Sequence, residues 1–155
     1  MKITVRNIKN ESIRRKELVY ACNWIGDMIM GRKLCKNIHV SIQFADISEY
    51  GLSSPAYEDY HPREFEIFIR HEMSRLAIIE TTAHELVHVK QFARRELRDY
   101  DTRNKPKYLG KVVSTTDLHY YDYPWEIEAF GRAVGLYNRY IEHLDDNPKL
   151  KQKLL

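Results

Sequence analysis

The spacing of apolar residues changes near Ser74, and this change constrains the fold more than any other feature of the sequence. Before it, apolar and polar residues alternate over 38–44, and apolar residues recur at every second position over 65–69. Such alternation predicts strands with one buried face. After it, apolar residues return every three or four positions, which predicts a helix from about 74 to 98.

The remaining predicted elements complete an α+β order. They are a helix over 12–30 capped by Ser12 and closed by Gly31, a short strand near 53–57, a polar loop over 99–122, and a last helix that begins at Tyr123-Pro124. No internal repeat or Gly/Ser linker divides the chain. We therefore expect a single α+β domain over 1–155, with a small antiparallel or mixed sheet packed against an N-terminal, a central and a C-terminal helix.

The composition is that of an ordinary globular protein. Of 155 residues, 30% are charged and 43% are apolar, and no apolar run is long enough to span a bilayer. The first residues lack the apolar core of a secretory signal, and two cysteines, Cys22 and Cys35, are too few for a disulfide framework. These features predict a cytoplasmic protein with free thiols. A net charge of +3 is too small to indicate nucleic-acid binding.

The motif HELVH, which begins at His84, carries the clearest chemical signal. On a helix, His84 and His88 leave the same face one turn apart, so both imidazoles can bind one metal ion. Glu85 lies on the neighbouring flank, where it can take a proton from a metal-bound water without binding the metal. Leu86 and Val87 point away from this face and are expected in the core. A catalytic zinc site needs a third protein ligand from elsewhere in the chain.

The residues after HELVH exclude one class of zinc peptidase and resemble another. Metzincins need glycine three positions and histidine six positions after the second histidine, and Gln91 and Arg94 stand there instead. A second motif, ExxA, begins at Glu126 on the last predicted helix. HExxH followed by ExxA on a second helix resembles the gluzincin metallopeptidases. Most similar are their compact forms, the ImmA/IrrE-like, SprT-like and other minimal zincins and small phage-encoded metallopeptidases.

The resemblance implies a zincin-like fold and a zinc-dependent peptidase that acts on a protein or peptide. In gluzincins the first glutamate of ExxA is the third zinc ligand. The implied ligands of one zinc ion are therefore His84, His88 and Glu126, with Glu85 as general base. The non-functional interpretation of Glu126 is a solvated carboxylate that the helix dipole favours.

Other positions around the predicted zinc site stay open. Glu128 and His119 are alternative third ligands. Several gluzincins carry an aspartate four residues after the glutamate ligand, where it orients a histidine, but this position is Phe130 here. We therefore expect the orienting group to come from elsewhere, with Glu80 and Asp122 as candidates.

The loop before the last helix offers donors for the oxyanion that forms during peptide hydrolysis. It carries His119 and tyrosines at positions 120, 121 and 123, among which Tyr121 and Tyr123 are the catalytic candidates. Packing of these rings against the helices is the structural alternative. The strand before the central helix, over 66–70, is expected to form a sheet edge that receives an extended peptide.

Basic residues are concentrated between Lys90 and Lys111, where eight basic and three acidic side chains leave a charge of +5. A solvated surface is the expected role, although such a segment could also meet an acidic substrate. The alternative is a nucleic-acid-associated module with little catalysis, or a structural protein stabilised by zinc. The intact Glu85 argues against both alternatives. The residues that would contact nucleic acid are Arg94, Arg95, Arg98 and Lys105, with Tyr100 and Tyr108 interleaved.

Overall fold

The structure, a computed structural model, describes residues 1–8, 12–57, 59–98 and 105–155. Its strands are β1 (Lys2–Arg6), β2 (His39–Ala45), β3 (Gly51–Pro55), β4 (Glu64–Arg70), β5 (Leu97–Arg98), β6 (Lys107–Tyr108) and β7 (Lys111–Val112). Its helices are α1 (Arg15–Met30), α2 (Arg32–Cys35), α3 (Arg75–Ala93), α4 (Pro124–Asp145) and α5 (Pro148–Leu154), with a 3₁₀ turn at Tyr120–Asp122. The fold is α+β, as predicted.

A four-stranded mixed sheet in the order β1-β2-β4-β3 forms one layer. β1, β2 and β4 are parallel, and only β3 runs antiparallel to its neighbour β4. Of the two predicted alternatives, the mixed sheet is therefore confirmed and the antiparallel sheet is wrong. The connection through α1 returns β2 parallel to β1. The alternate apolar side chains of β2 and β4 are buried, as their spacing predicts; they are Val40, Ile42, Phe44, Phe65, Ile67 and Ile69.

The central helix α3 packs against the sheet, α1 and α4. Its residues 82–91 are all buried, which explains why its apolar side chains are not confined to one stripe. Leu86 and Val87 are fully buried, as the HELVH spacing predicts. Polar groups in this stretch need partners inside the protein. The buried polar side chains are Thr82, His84, Glu85, His88, Lys90 and Gln91.

The end of α3 lies five residues earlier than predicted. The helix ends at Ala93 rather than near Arg98, because the chain reverses at Arg95, whose φ is 59°. The amide of Glu96 then donates to the carbonyl oxygen of Gln91 at 2.7 Å. The left-handed residue at such a helix end is usually glycine. Here it is an arginine, so the sequence does not show where the helix ends.

The two ends of the chain also differ from the prediction. α1 has Arg14 as its N-cap rather than Ser12, whereas Gly31 closes it as expected, with φ 80°. The stretch 149–155, for which no helix was predicted, belongs largely to α5, and its Leu154 packs into the core. Strand β1 and the short helix α2 were not predicted. No helix among the described residues is long and apolar enough to cross a membrane.

Candidate metal centre

Helices α3 and α4 bring together the three residues predicted to bind metal. His84 and His88 lie one turn apart on α3, and Glu126 lies in the first turn of α4. The Nε2 atoms of the two histidines are 3.1 Å apart. The carboxylate oxygens of Glu126 lie 3.3 Å from Nε2 of His84 and 3.5 Å from Nε2 of His88. This group could hold a metal ion.

The spacing of these atoms fits a tetrahedral ion. Bonds of about 2.0–2.1 Å at tetrahedral angles separate neighbouring ligand atoms by about 3.3 Å, which is close to the three distances above. Oε2 of Glu126 is buried and accepts no hydrogen bond from the residues that the structure describes. A buried oxygen of this kind needs a cation or a donor. Two imidazoles and a carboxylate suit zinc, and other first-row divalent ions accept the same set.

The two buried glutamates of the site differ in their ionisation. Burial alone would raise the pKa of Glu126, but contacts with His84, His88 and the Tyr120 hydroxyl bring it down to about 2. At Glu85 burial outweighs the influence of the histidines, so its pKa is raised. The site therefore holds one carboxylate that keeps its charge, as a ligand must, and one that binds a proton more readily, as a base must.

Gln91 orients His88 from the side opposite the metal-binding atoms. Its Oε1 lies 2.8 Å from Nδ1 of His88, and its Nε2 donates at 3.0 Å both to the carbonyl oxygen of Trp125 and to Oε2 of Glu128. Because both partners of Nε2 are acceptors, the amide oxygen faces His88, and Nδ1 of His88 carries the hydrogen. The lone pair on Nε2 of His88 is then free for a metal.

The orienting group is thus not one of the two acidic residues expected from the sequence. Among the described contacts, no hydrogen bond joins Glu80 or Asp122 to either histidine. Gln91 is reached because it lies three residues beyond His88, on the same side of α3. The spacing of Gln91 from His88 can be read from the sequence. Glutamine is so common in helices, however, that this spacing alone does not identify a residue that orients a histidine.

Glu128 belongs to a different cluster from Glu126. Its carboxylate accepts hydrogen bonds from four donors, which leaves it facing away from the two histidines. Burial would raise its pKa, but these hydrogen bonds and the charge of Lys90 lower it to about 2. Of the alternative third ligands, His119 caps the 3₁₀ turn through its side chain. The donors to Glu128 are Lys90, Gln91, Tyr108 and Arg132.

Glu85 faces β3 at very short range. A Cβ atom at Gly51 would lie 2.8 Å from Oε1 of Glu85 and 2.5 Å from Cγ2 of Thr81, so any larger residue there would require these side chains to shift. The hydroxyl of Ser53 donates to the backbone carbonyl of Glu85 at 3.5 Å. The strand therefore holds the carboxylate of Glu85 on one wall of the site. The sequence did not predict that Gly51 would lie against Glu85.

An open cleft of about 760 Å³ lies over the site and includes Glu85, His88 and Glu126 in its walls. Tyr120 lines it, whereas Tyr121 and Tyr123 are not among its lining residues. The ring of Tyr121 packs near Phe130 with 5.2 Å between centroids, and that of Tyr123 near Trp125 with 5.0 Å. The catalytic role of Tyr121 and Tyr123 stays a prediction, and Tyr120 joins them as a candidate.

The sheet edge at the cleft is β3, not the strand that was expected there. The stretch 66–70 belongs to β4, which pairs with β2 on one side and β3 on the other. In the part of the chain that the structure describes, residues 51–55 of β3 have no strand on their outer side and line the cleft instead. The expectation was wrong because alternation identifies strands but does not give their order in a sheet.

The basic segment does not form one solvated stripe. Lys90 is buried, and its Nζ lies 2.5 Å from Glu128 and 2.8 Å from Glu96. Arg94 donates to the carbonyl oxygen of Met30 at 3.1 Å. Two of its arginines line the cleft, and Lys105 is exposed. Several residues of the prediction lie outside the described residues, namely Asp99, Tyr100, Asp101 and Arg103.

Comparison with protein-family models, with curated proteins and with solved structures finds no match for this chain. The chemistry of the site therefore follows from its own side chains.

Proposed function

We propose that the protein is a zinc-dependent peptidase with a zincin-like fold and a gluzincin-type ligand set. The observation that carries the proposal is the convergence of His84, His88 and Glu126 at tetrahedral spacing, with Glu85 in the wall of the same open cleft. A structural zinc site is closed by four protein ligands, whereas a catalytic one has three and an open position. Three convergent ligands beside a cleft favour the catalytic type.

The roles of the chain's residues follow from their positions. When bound, the ion supplies a water of lowered pKa and polarises the scissile carbonyl. Glu85 would accept the proton of the attacking water and deliver it to the leaving amine. Gln91 keeps the ring of His88 turned so that Nε2 faces His84 and Glu126. The hydroxyl of Tyr120 donates to Glu126 and lies in the cleft wall, so it can turn to donate to the developing oxyanion when Glu126 binds the ion instead.

The outer edge of β3 is a suitable place for the substrate. Unpaired backbone N–H and C=O groups at a sheet edge bind an extended peptide by adding it as a further strand. Such an edge runs along the cleft from Gly51, which is next to Glu85. A peptide held there passes Glu85 and the ligands. This favours a protein or peptide substrate over a small molecule, and a cytoplasmic location stays a prediction from the sequence.

The first experiment is metal analysis by plasma mass spectrometry on protein purified without added metal. We expect about one zinc ion per chain, lost in Glu126→Ala. The zinc-loaded protein should then cleave unfolded casein, as measured by the release of new amino termini. A wild-type protein without metal would overturn the proposal. So would zinc-loaded protein whose cleavage activity is the same in Glu85→Gln.

A further inference from the structure

Two arginines line the same cleft as the candidate metal ligands. Arg95 and Arg98 both contribute to its walls, together with His88 and Glu126. Unlike Lys90, which is paired with two glutamates, neither arginine has a carboxylate within 4 Å among the residues that the structure describes. The two guanidinium groups therefore have no ion pair with a described carboxylate, and the acidic residues that line the same cleft are Asp59, Glu85 and Glu126.

The guanidinium of Arg98 lacks a partner for one of its donors. Its Nε is buried and makes no hydrogen bond within the described part of the chain. A buried N–H without an acceptor is costly, and the group is rarely left so unless a ligand completes it. Since Arg98 also lines the cleft, an acceptor that enters the cleft can complete the hydrogen bonding of its guanidinium once the side chain turns toward it.

Arg95 is held in place by an aromatic ring and a strained backbone. Its Cζ lies 3.2 Å from the centroid of the Tyr60 ring. Arg95 also hydrogen-bonds the hydroxyl of Tyr60, which lowers the pKa of that hydroxyl. A guanidinium has five N–H donors, so a stacked arginine keeps further in-plane donors for a planar anion. The backbone of Arg95 has φ 59°, in the left-handed region where glycine is favoured. An arginine at such a position costs stability, which points to a use for its side chain.

We propose that Arg95 and Arg98 form a subsite that binds an acidic side chain of the peptide substrate. The inference rests on the proposed peptidase function and names the substrate class. Arginine matches the planar, bidentate geometry of a carboxylate.

The position of the pair favours a peptide over nucleic acid. The arginines lie in a concave cleft that the β3 edge also lines, next to the residues that would cleave a peptide. The cations that would extend a phosphate-binding surface along the segment are in part engaged within the protein, since Lys90 is buried between two glutamates. Contact with a phosphate backbone is therefore treated as an outcome of the test.

The test measures peptide binding by zinc-loaded Glu85→Gln protein, which should hold peptides without cleaving them. Two fluorescein-labelled pools of degenerate peptides are compared, identical except for glutamate or glutamine at one central position. Fluorescence anisotropy should show about tenfold tighter binding of the glutamate pool. Adding Arg95→Gln or Arg98→Gln should bring this ratio to about one while the zinc content stays the same. Adding Lys105→Gln, an exposed cation that does not line the cleft, is the matched control and should keep the ratio.

Several outcomes separate this proposal from the peptidase function. Equal binding of the two pools, or a ratio that survives both arginine substitutions, overturns the subsite. Cleavage of the peptides by the wild type with no preference for an acidic residue also overturns it and leaves the peptidase function standing. A tenfold ratio without any cleavage by the wild type supports the subsite and contradicts the peptidase function. Salt-sensitive binding of a DNA duplex, weakened by Lys105→Gln as much as by the arginine substitutions, would replace the peptide subsite with a nucleic-acid contact.

Discussion

Gln91 donates to Glu128 and accepts from His88, so a single amide couples the candidate metal centre to a buried cluster of charges. All three of its hydrogen bonds are internal, and its side chain is fully buried. The tautomer of His88 that can bind a metal is therefore determined by α4, through Glu128 and the backbone of Trp125.

Replacing Gln91 with leucine should weaken zinc binding by about 10–100-fold, because His88 loses the acceptor that selects its tautomer. Competition with a chelator of known affinity measures the change. Thr82→Val on the same helix is the control, since Thr82 is equally buried and its hydroxyl donates to the backbone carbonyl of Ile78. If both variants bind zinc like the wild type, Gln91 does not orient the ligand.

Glu85→Gln should keep its zinc and lower the cleavage rate by about 10³-fold, because the amide cannot accept the proton of the attacking water. Zinc content and casein cleavage are measured on the same preparation. Loss of zinc from this variant would mean that Glu85 is a ligand and that its role is misassigned.

Glu126→Ala should mainly affect zinc binding, whereas Glu128→Ala should mainly affect the stability of the fold. Glu126→Ala removes a ligand and should abolish tight zinc binding. Glu128→Ala removes the acceptor of four hydrogen bonds, so it should lower the free energy of unfolding by about 2 kcal/mol or more while some zinc binding is retained. Zinc analysis and denaturant unfolding of the apo proteins separate the two. The reverse pattern would show that the third ligand is Glu128.

Arg95→Gly should be more stable than Arg95→Ala by about 1 kcal/mol. Both variants lose the stacking on Tyr60, so their difference isolates the cost of a left-handed backbone with a side chain at φ 59°. Urea unfolding of the apo proteins measures this difference. Equal stabilities would mean that the chain does not adopt the left-handed conformation at the end of α3.

The buried thiol of Cys22 should make the protein less stable in alkali. Burial raises its pKa to about 12 from an ordinary value of 9.0. A raised folded-state pKa contributes stability that is fully present below the unfolded pKa, so the contribution is lost as the pH rises from about 9 toward 12. The free energy of unfolding should fall over this range by up to about 1.4 kcal/mol per pH unit more than in Cys22→Ala. Parallel slopes for the two proteins would contradict this.

Local periodicity was enough to predict the strands at 38–44 and 65–69, the helix that carries HELVH and the start of α4 at Tyr123-Pro124. These features depend on the alternation of side chains and on proline at a helix start, which act within a few residues of the chain. HELVH also placed His84, His88 and Glu85 correctly relative to one another, because helix geometry alone sets their directions.

Tertiary packing decided everything that joins distant segments. It brought Glu126 rather than Glu128 to the histidines, put β3 rather than β4 at the sheet edge, and placed Gln91 behind His88. It also turned two arginines of the basic segment into the cleft. Glu126 and Glu128 lie on one helix and have the same local conformational preferences. Their contacts differ because α3 packs against this helix and brings its histidines to Glu126 and Lys90 to Glu128. The order of strands is likewise a property of the connections and the packed layers, which no short stretch of sequence contains.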